Sequence, residues 1–216
     1  MTDPNLFRLR ATFVEQGRLA LLSHREMANT LERTVRRANL PYAVSQGFSP
    51  HMKLAFGAAL PVGVGSTCEI FDLQLTRYVA PDKVLQALKA VSVPDLMVSE
   101  CHYIDHKAPA ASVAFPFSTY VARFSRAVGE DDVAAPETVV LKKAAKRGKP
   151  KEKVLVVKEF LAKPYVYDGD EVTFTLEAKP TGSLRPDVLV AESVKAFDVT
   201  CVFITRVAQS AALDTN

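Results

Sequence analysis

His51 and Lys53 are the first residues to consider, because the chain around them is built to present side chains rather than to bury them. They lie in the run Ser45 to Gly63, SQGFSPHMKLAFGAALPVG, which carries Gly47, Pro50, Gly57, Pro61 and Gly63. Glycine permits close backbone approach and proline stiffens the path, so such a density marks a shaped loop rather than a core strand. An imidazole and an ammonium on a stiff loop are hydrogen-bond donors suited to an anion. Phe48 stands three residues before His51. It has two readings: a platform for an unpaired base, or an anchor that ties the loop to the core.

Other candidates are scattered along the chain. His24 falls in the first turn of a predicted helix, where the dipole disfavours a positive imidazole and favours an anion nearby. It reads either as a donor or general base at an RNA phosphate or 2′-hydroxyl, or as a half-buried neighbour of the helix cap. Arg33 and Arg37 are four apart on that helix and share a face, as forked donors for phosphate or as part of a solvated surface. Ser183 and Arg185 precede a predicted helix N-terminus, where backbone amides attract anions. The alternative is that Gly182 and Pro186 only shape the turn. Lys146, Arg147 and Lys149 form a basic hairpin tip without interleaved aromatics, which attracts phosphate without reading sequence or is simply solvated.

Metal and cofactor chemistry find little support. His24, His51 and Glu26 lack ligand spacing, and no metal or cofactor is expected. Walker, dinucleotide-binding and Gly-x-Ser-x-Gly patterns are absent. Cys68, Cys101 and Cys201 are too far apart for a Cys-x-x-Cys site and odd in number, so they read as small buried hydrophobes.

The charge is uneven. The formal net charge is +3, yet seven cations and one acid lie between Lys142 and Lys153, which leaves a mildly acidic body carrying a basic arm. That points to an anionic partner. At 216 residues, 48% hydrophobic and 24% charged, the chain has enough apolar content for a real core. No stretch reaches the ~20 apolar residues of a membrane span. The N-terminus Met-Thr-Asp-Pro-Asn has neither a basic start nor an apolar region, so a cytoplasmic protein is expected.

The elements that position these residues follow from periodicity. Leu6 to Glu15 reads as a strand. Ser23-His24-Arg25-Glu26 is a capping box opening a helix to about Asn39, with Met27, Leu31, Val35 and Ala38 as its apolar stripe. Strands at 53–56 and 68–76, a helix from Pro81 and a strand at 96–104 complete a β-α-β-β-α-β plan. The second half echoes it: a strand at 118–125, a short helix at 130–135, and a hairpin of 138–143 with 153–158. A strand at 171–179, a helix from Pro186 and a strand at 200–207 follow. The fold class expected is α+β, as two tandem ferredoxin-like (βαββαβ) subdomains. The first spans 1–106, residues 107–112 form the linker, the second spans 113–209 with the basic hairpin, and 210–216 is a tail.

Several motifs also carry a family resemblance. Ser-x-Gly-Phe-x-Pro-His-x-Lys followed by Phe-Gly-x-x-Leu-Pro-x-Gly, together with Leu22-Ser23-His24, resembles the radical-SAM-linked bacterial proteins of the DUF2344 family. Glu32-Arg33-x-x-Arg36-Arg37-Ala38-x-Leu40-Pro41 and Gly182-Ser183-x-Arg185-Pro186 fit as well. The resemblance runs over roughly residues 7 to 208. It implies a radical SAM enzyme as partner, and that partner carries any iron–sulfur cluster, because this chain has no closely spaced cysteine trio. Paired ferredoxin-like subdomains are similar to the RNA-handling proteins of CRISPR systems, which adds RNA as a partner by analogy of fold alone.

The reading that results is an RNA-binding or substrate-presenting accessory protein working in tRNA or rRNA modification. His24, Arg33, Arg37, Phe48, His51, Lys53 and Arg185 are its candidate RNA surface. Two alternatives stand beside it. One is a metal-independent ribonuclease using His24 or His51, and the other is a protein–protein adaptor that touches no nucleic acid. Oligomeric state is not readable from the sequence.

Overall fold

In the computed structural model, residues 6–143, 151–180 and 182–213 are described. The chain divides into two compact units, Met1–Phe115 and Pro116–Asn216. Both are α+β, with mostly antiparallel sheets.

The first unit opens with β1 (Phe7–Glu15). Leu9, Ala11 and Phe13 alternate onto one face and are fully buried, while Arg8, Arg10 and Thr12 take the other. Helix α1 (His24–Arg37) follows, opened by the predicted capping box. The Ser23 amide donates to Glu26 Oε2 at 2.9 Å, and the Glu26 amide donates back to Ser23 Oγ at 3.4 Å. Met27, Leu31 and Val35 recur at four-residue spacing and bury the inner stripe. The helix ends at Asn39, which adopts a left-handed conformation with φ 53°. Asn suits that position because its short polar side chain tolerates it.

Next come β2 (Leu54–Phe56), β3 (Val64–Leu75), α2 (Pro81–Lys89) and β4 (Val98–Tyr103). Pro81 occupies the first turn of α2, with Asp82 beside it, and Val84 and Leu88 are completely buried. The strand order is β4-β1-β3-β2 with every pairing antiparallel. Both helices share one hydrophobic core with a single face of this sheet, where Phe71, Leu73 and Leu75 are fully enclosed. Each such side chain contributes about 1.5–3 kcal/mol by leaving water.

The opposite face of the sheet carries charge. Asp72 accepts from Arg10 Nε at 2.7 Å and from Arg8 Nη2 at 2.7 Å. The same arginines hold the segment predicted as a linker. Arg8 Nη1 donates to the Ala108 carbonyl at 2.6 Å, and Arg10 Nη2 to the Pro109 carbonyl at 3.0 Å. A short helix, α3 (Ala111–Ala114), follows. Residues 106–110 are thus strapped onto the first unit.

The second unit contains β5 (Phe117–Phe124), β6 (Thr138–Lys143), β7 (Lys151–Val156), β8 (Leu161–Asp168), β9 (Glu171–Glu177), α4 (Pro186–Ser193) and β10 (Cys201–Ser210). Its sheet order is β10-β5-β9-β8, again antiparallel throughout. β6 and β7 form a separate two-stranded hairpin. Val139 and Leu155 face inward from that hairpin and are buried, while the paired Val140 and Val154 face outward.

Two expectations for this half need correction. The helix expected at 130–135 is a turn with an isolated bridge from Val133 to Val194. Six residues carrying three consecutive acids and followed by Pro136 cannot offset the cost of nucleating a helix. Strand β8 is an addition that periodicity did not reveal. It contains Pro164, its register slips between Leu161 and Val166, and it pairs with β9, so it has the features of an edge strand that tolerates proline.

Candidate RNA-contacting site

The loop between α1 and β2 is braced at its base. The Ser45 amide donates to the His51 carbonyl at 2.8 Å, and the His51 amide donates to Ser45 Oγ at 2.9 Å. A bridge between Val44 and Met52 lies just beneath, and Met52 is buried in the core. Gly47 has φ 131°, a conformation that side chains rarely adopt, and nothing within 4 Å crowds the position of its missing Cβ. The glycine is there for backbone conformation, not for close approach. The result is a fixed turn that holds Phe48 outward.

Phe48 is fully solvent-exposed, at 112% of its reference area. It does not anchor the loop; the Ser45 clamp and Met52 do that. His51 is exposed beside it, with Nε2 3.5 Å from Ser49 Oγ. Lys53 is half-buried and enters a groove of about 510 Å³ on the charged face of the sheet, together with Arg8, Gln74 and Lys107. Phe48, His51 and Lys53 thus lie within six residues of one short segment.

His24 is not part of that group. Its ring packs edge-on against Phe56, with centroids 5.2 Å apart. Leu54 and Phe56 pack against the helix-covered core, whereas Lys53 and Ala55, with part of Leu54, line the groove on the other face. His24 and Lys53 thus serve opposite sides of the sheet. Around His24, the Leu22-Ser23-His24 motif and the Phe56-Gly57-x-x-Leu60-Pro61 motif converge on a small cavity of about 10 Å³. That is room for about one water. Glu15 and Glu69, both 95% buried, line it too. So small a space leaves no room for a phosphate beside His24.

Arg33 and Arg37 are exposed on α1. Arg33 is nine residues from His24, which places it about half a turn around the helix and about 13 Å along it. Those two arginines and His24 cannot contact one phosphate. The neighbouring Arg36 is held by Glu32 at 3.0 Å.

In the second unit, Arg185 is the N-cap residue of α4, and its guanidinium is engaged by Asp187, with Nε donating to Oδ1 at 3.0 Å. The chain's own carboxylate takes the cation that an incoming anion would need. Gly182, at φ 138°, closes a bridge with Lys179, and Ser183 is exposed. Shaping the turn is the role visible here. Lys146, Arg147 and Lys149 lie outside the described residues.

Sequence reasoning missed a second projecting aromatic. Phe197 is also fully exposed, in the turn between α4 and β10. Arg126 clamps this turn, donating to Asp198 Oδ2 at 2.9 Å and to Asp132 Oδ1 at 2.9 Å. Its guanidinium holds both carboxyls below their ordinary value of 3.8, and they raise its own affinity for a proton in return. Because the folded pKa values are depressed, the clamp is complete above pH 3.8 and is lost as pH falls through lower values. We expect the Phe197 NMR signals to be constant from pH 7 to 5 and to broaden or shift below pH 3.8. A change centred near pH 6 would show that these carboxylates do not hold the turn. Nothing in the spacing of Arg126, Asp132 and Asp198 distinguishes them from ordinary surface charges.

The three cysteines are half-buried rather than enclosed, which corrects the expectation of small buried hydrophobes. Burial pushes the Cys101 thiol up to about 12 and raises that of Cys201. Among the described residues, no group of three or more His, Cys, Asp or Glu side chains is placed to hold a metal ion. Nor is any helix there long and apolar enough to cross a membrane.

Comparison with known families fits the motifs that surround these sites. A family model described as an uncharacterized protein conserved in bacteria, DUF2344, matches residues 8–186. The chain belongs to the DUF2344 family. No curated protein matches it. The stretch that matches the DUF2344 model contains His24, Phe48, His51, Lys53 and Arg185, and it stops before Phe197. The braced Phe48 loop is therefore within the DUF2344 region, and the Phe197 turn is outside it.

Proposed function

We propose that this protein binds single-stranded RNA and presents it to a separate radical SAM enzyme, as an accessory factor in tRNA or rRNA modification in the cytoplasm. The observation that carries this reading is Phe48: a fully exposed aromatic on a braced turn, with His51 and Lys53 following it in the chain. Proteins that bind single strands combine aromatic faces for stacking with cations that track the backbone.

The fold supports the reading by analogy. In the first unit the order β4-β1-β3-β2 places the last strand beside the first. In the second unit β10-β5-β9-β8 repeats the arrangement, with the β6–β7 hairpin standing where the first helix would be. We read both as ferredoxin-like, one complete and one with that replacement. The radical SAM partner comes from the family resemblance of the motifs.

The test is binding of single-stranded RNA fragments of tRNA and rRNA at two salt concentrations, wild type beside His51→Ala/Lys53→Ala. For wild type we expect the affinity to fall with salt, with a logarithmic slope of roughly 0.7 per phosphate contacted. The double variant should bind more weakly and with a shallower slope. Salt-independent binding, or none, would remove the RNA reading and leave the adaptor that docks Phe48 into a protein pocket. The ribonuclease alternative is distinguished by cleavage products formed without added metal and abolished by His24→Ala.

A further inference from the structure

We infer that the groove on the charged face of the first unit is a subsite for one nucleotide, taking its phosphate and one polar edge of its base. The inference deepens the RNA reading and rests on it for the class of ligand.

The groove is built by register. Lys53, Gln74 and Arg8 form one row across β2, β3 and β1: Arg8 is paired with Gln74, and the Gln74 amide donates to the Lys53 carbonyl at 3.0 Å. In the next row Ala55 is paired with Asp72, which is paired with Arg10. Ala55 is small, so the floor stays low. The strap at 106–110 forms a wall and adds Lys107. The groove is open to solvent along its length, and its volume of about 510 Å³ lies within the 300–1,000 Å³ range typical of small-molecule sites.

The groove's charge selects an anion. Among its described lining residues, Asp72 is the one carboxylate, and it is already shared between Arg8 and Arg10. Lys53 and Lys107 have no carboxylate partner there. A phosphate beside Lys53 meets an ammonium on a stem held by the groove, a charge-assisted bond stronger than a neutral one.

Gln74 supplies the second contact. Its Oε1 is buried and has no hydrogen-bond partner. An orphaned acceptor is costly, and a ligand that donates to it recovers that cost. Gln74 lines the groove, and the last torsion of its amide has broad wells. An exocyclic amine or ring N–H of a base is a donor of the required kind, and one that a nucleotide carries at a distance from its phosphate.

The test uses the full chain with the 5′-monophosphates of adenosine, guanosine, cytidine and uridine, the matching nucleosides, and inorganic phosphate, read by calorimetry. At least one monophosphate should bind saturably and about tenfold or more tighter than both its nucleoside and inorganic phosphate, because two contacts act together. Lys53→Ala should weaken that binding about tenfold. Gln74→Leu, which removes the orphaned acceptor without loss of volume, should compress the differences among the four bases. The proposal fails if no monophosphate saturates, if Lys53→Ala binds as wild type does, or if inorganic phosphate binds as tightly as the nucleotides. If short RNA oligomers bind in a Phe48-dependent way while mononucleotides do not, the groove proposal falls and the RNA reading stands.

Discussion

Asp72→Ala should destabilise the first unit by about 3–5 kcal/mol, the cost of removing one partner from a buried ion pair. Asp72 is 3% exposed, and the side chains of Arg8 and Arg10 are 11% and 8% exposed. Without the carboxylate, the acceptors left to the two guanidinium groups among the described residues are the carbonyls of the strap. The groove gives water some access to Arg8, which favours the lower end of that range. For a chain of this size the loss corresponds to a drop in Tm of roughly 10 °C. Urea unfolding measures it directly. A loss below about 1 kcal/mol would mean that the arginines are solvated in the folded protein and that the pair acts as a surface salt bridge. Asp72→Asn keeps an acceptor oxygen but removes the charge, so it should fall between wild type and the alanine variant.

Phe48→Ala should do the opposite: leave stability unchanged and reduce RNA affinity. A fully exposed side chain has no core contacts to lose, so unfolding should match wild type within about 0.5 kcal/mol. Stacking of one base on an aromatic ring is worth about 1–3 kcal/mol, which is roughly 5- to 150-fold in affinity for a single-stranded oligomer. Phe48→Trp should retain the binding, because a larger aromatic face stacks at least as well. Fluorescence anisotropy with a labelled single strand, beside thermal unfolding of the same samples, gives both halves of the result. Equal RNA affinity in Phe48→Ala would show that the ring does not stack a base and would turn attention to a protein partner.

Much of the first unit was legible because its signals are local. The alternation of Leu9, Ala11 and Phe13, the Ser23–Glu26 box and the Pro81 start each lie within a few residues, and each forms the element expected. The second unit was harder for equally local reasons. Pro164 and a register slip hide β8, and the acids before Pro136 look helical only by composition. The candidate site was partly legible. The Ser45–Gly63 run is indeed a shaped loop, and the glycine-rich punctuation shows it. The face on which each side chain falls was not, because it depends on strand parity: one residue decides whether a side chain joins Lys53 or Phe56. The Arg8–Asp72–Arg10 cluster joins residues 62 and 64 apart in the chain, a pairing that no spacing rule announces.

The shortness of β2 has a consequence for the protein at high concentration. It is a strand of three residues that pairs with β3, and the Phe48 loop leads directly into it. Unpaired sheet edges template association between molecules, and brevity is one of the ways that proteins blunt them. Three residues offer too few free backbone groups to recruit a strand from another copy. The first unit can therefore display an exposed phenylalanine close to this edge without that edge seeding fibril growth.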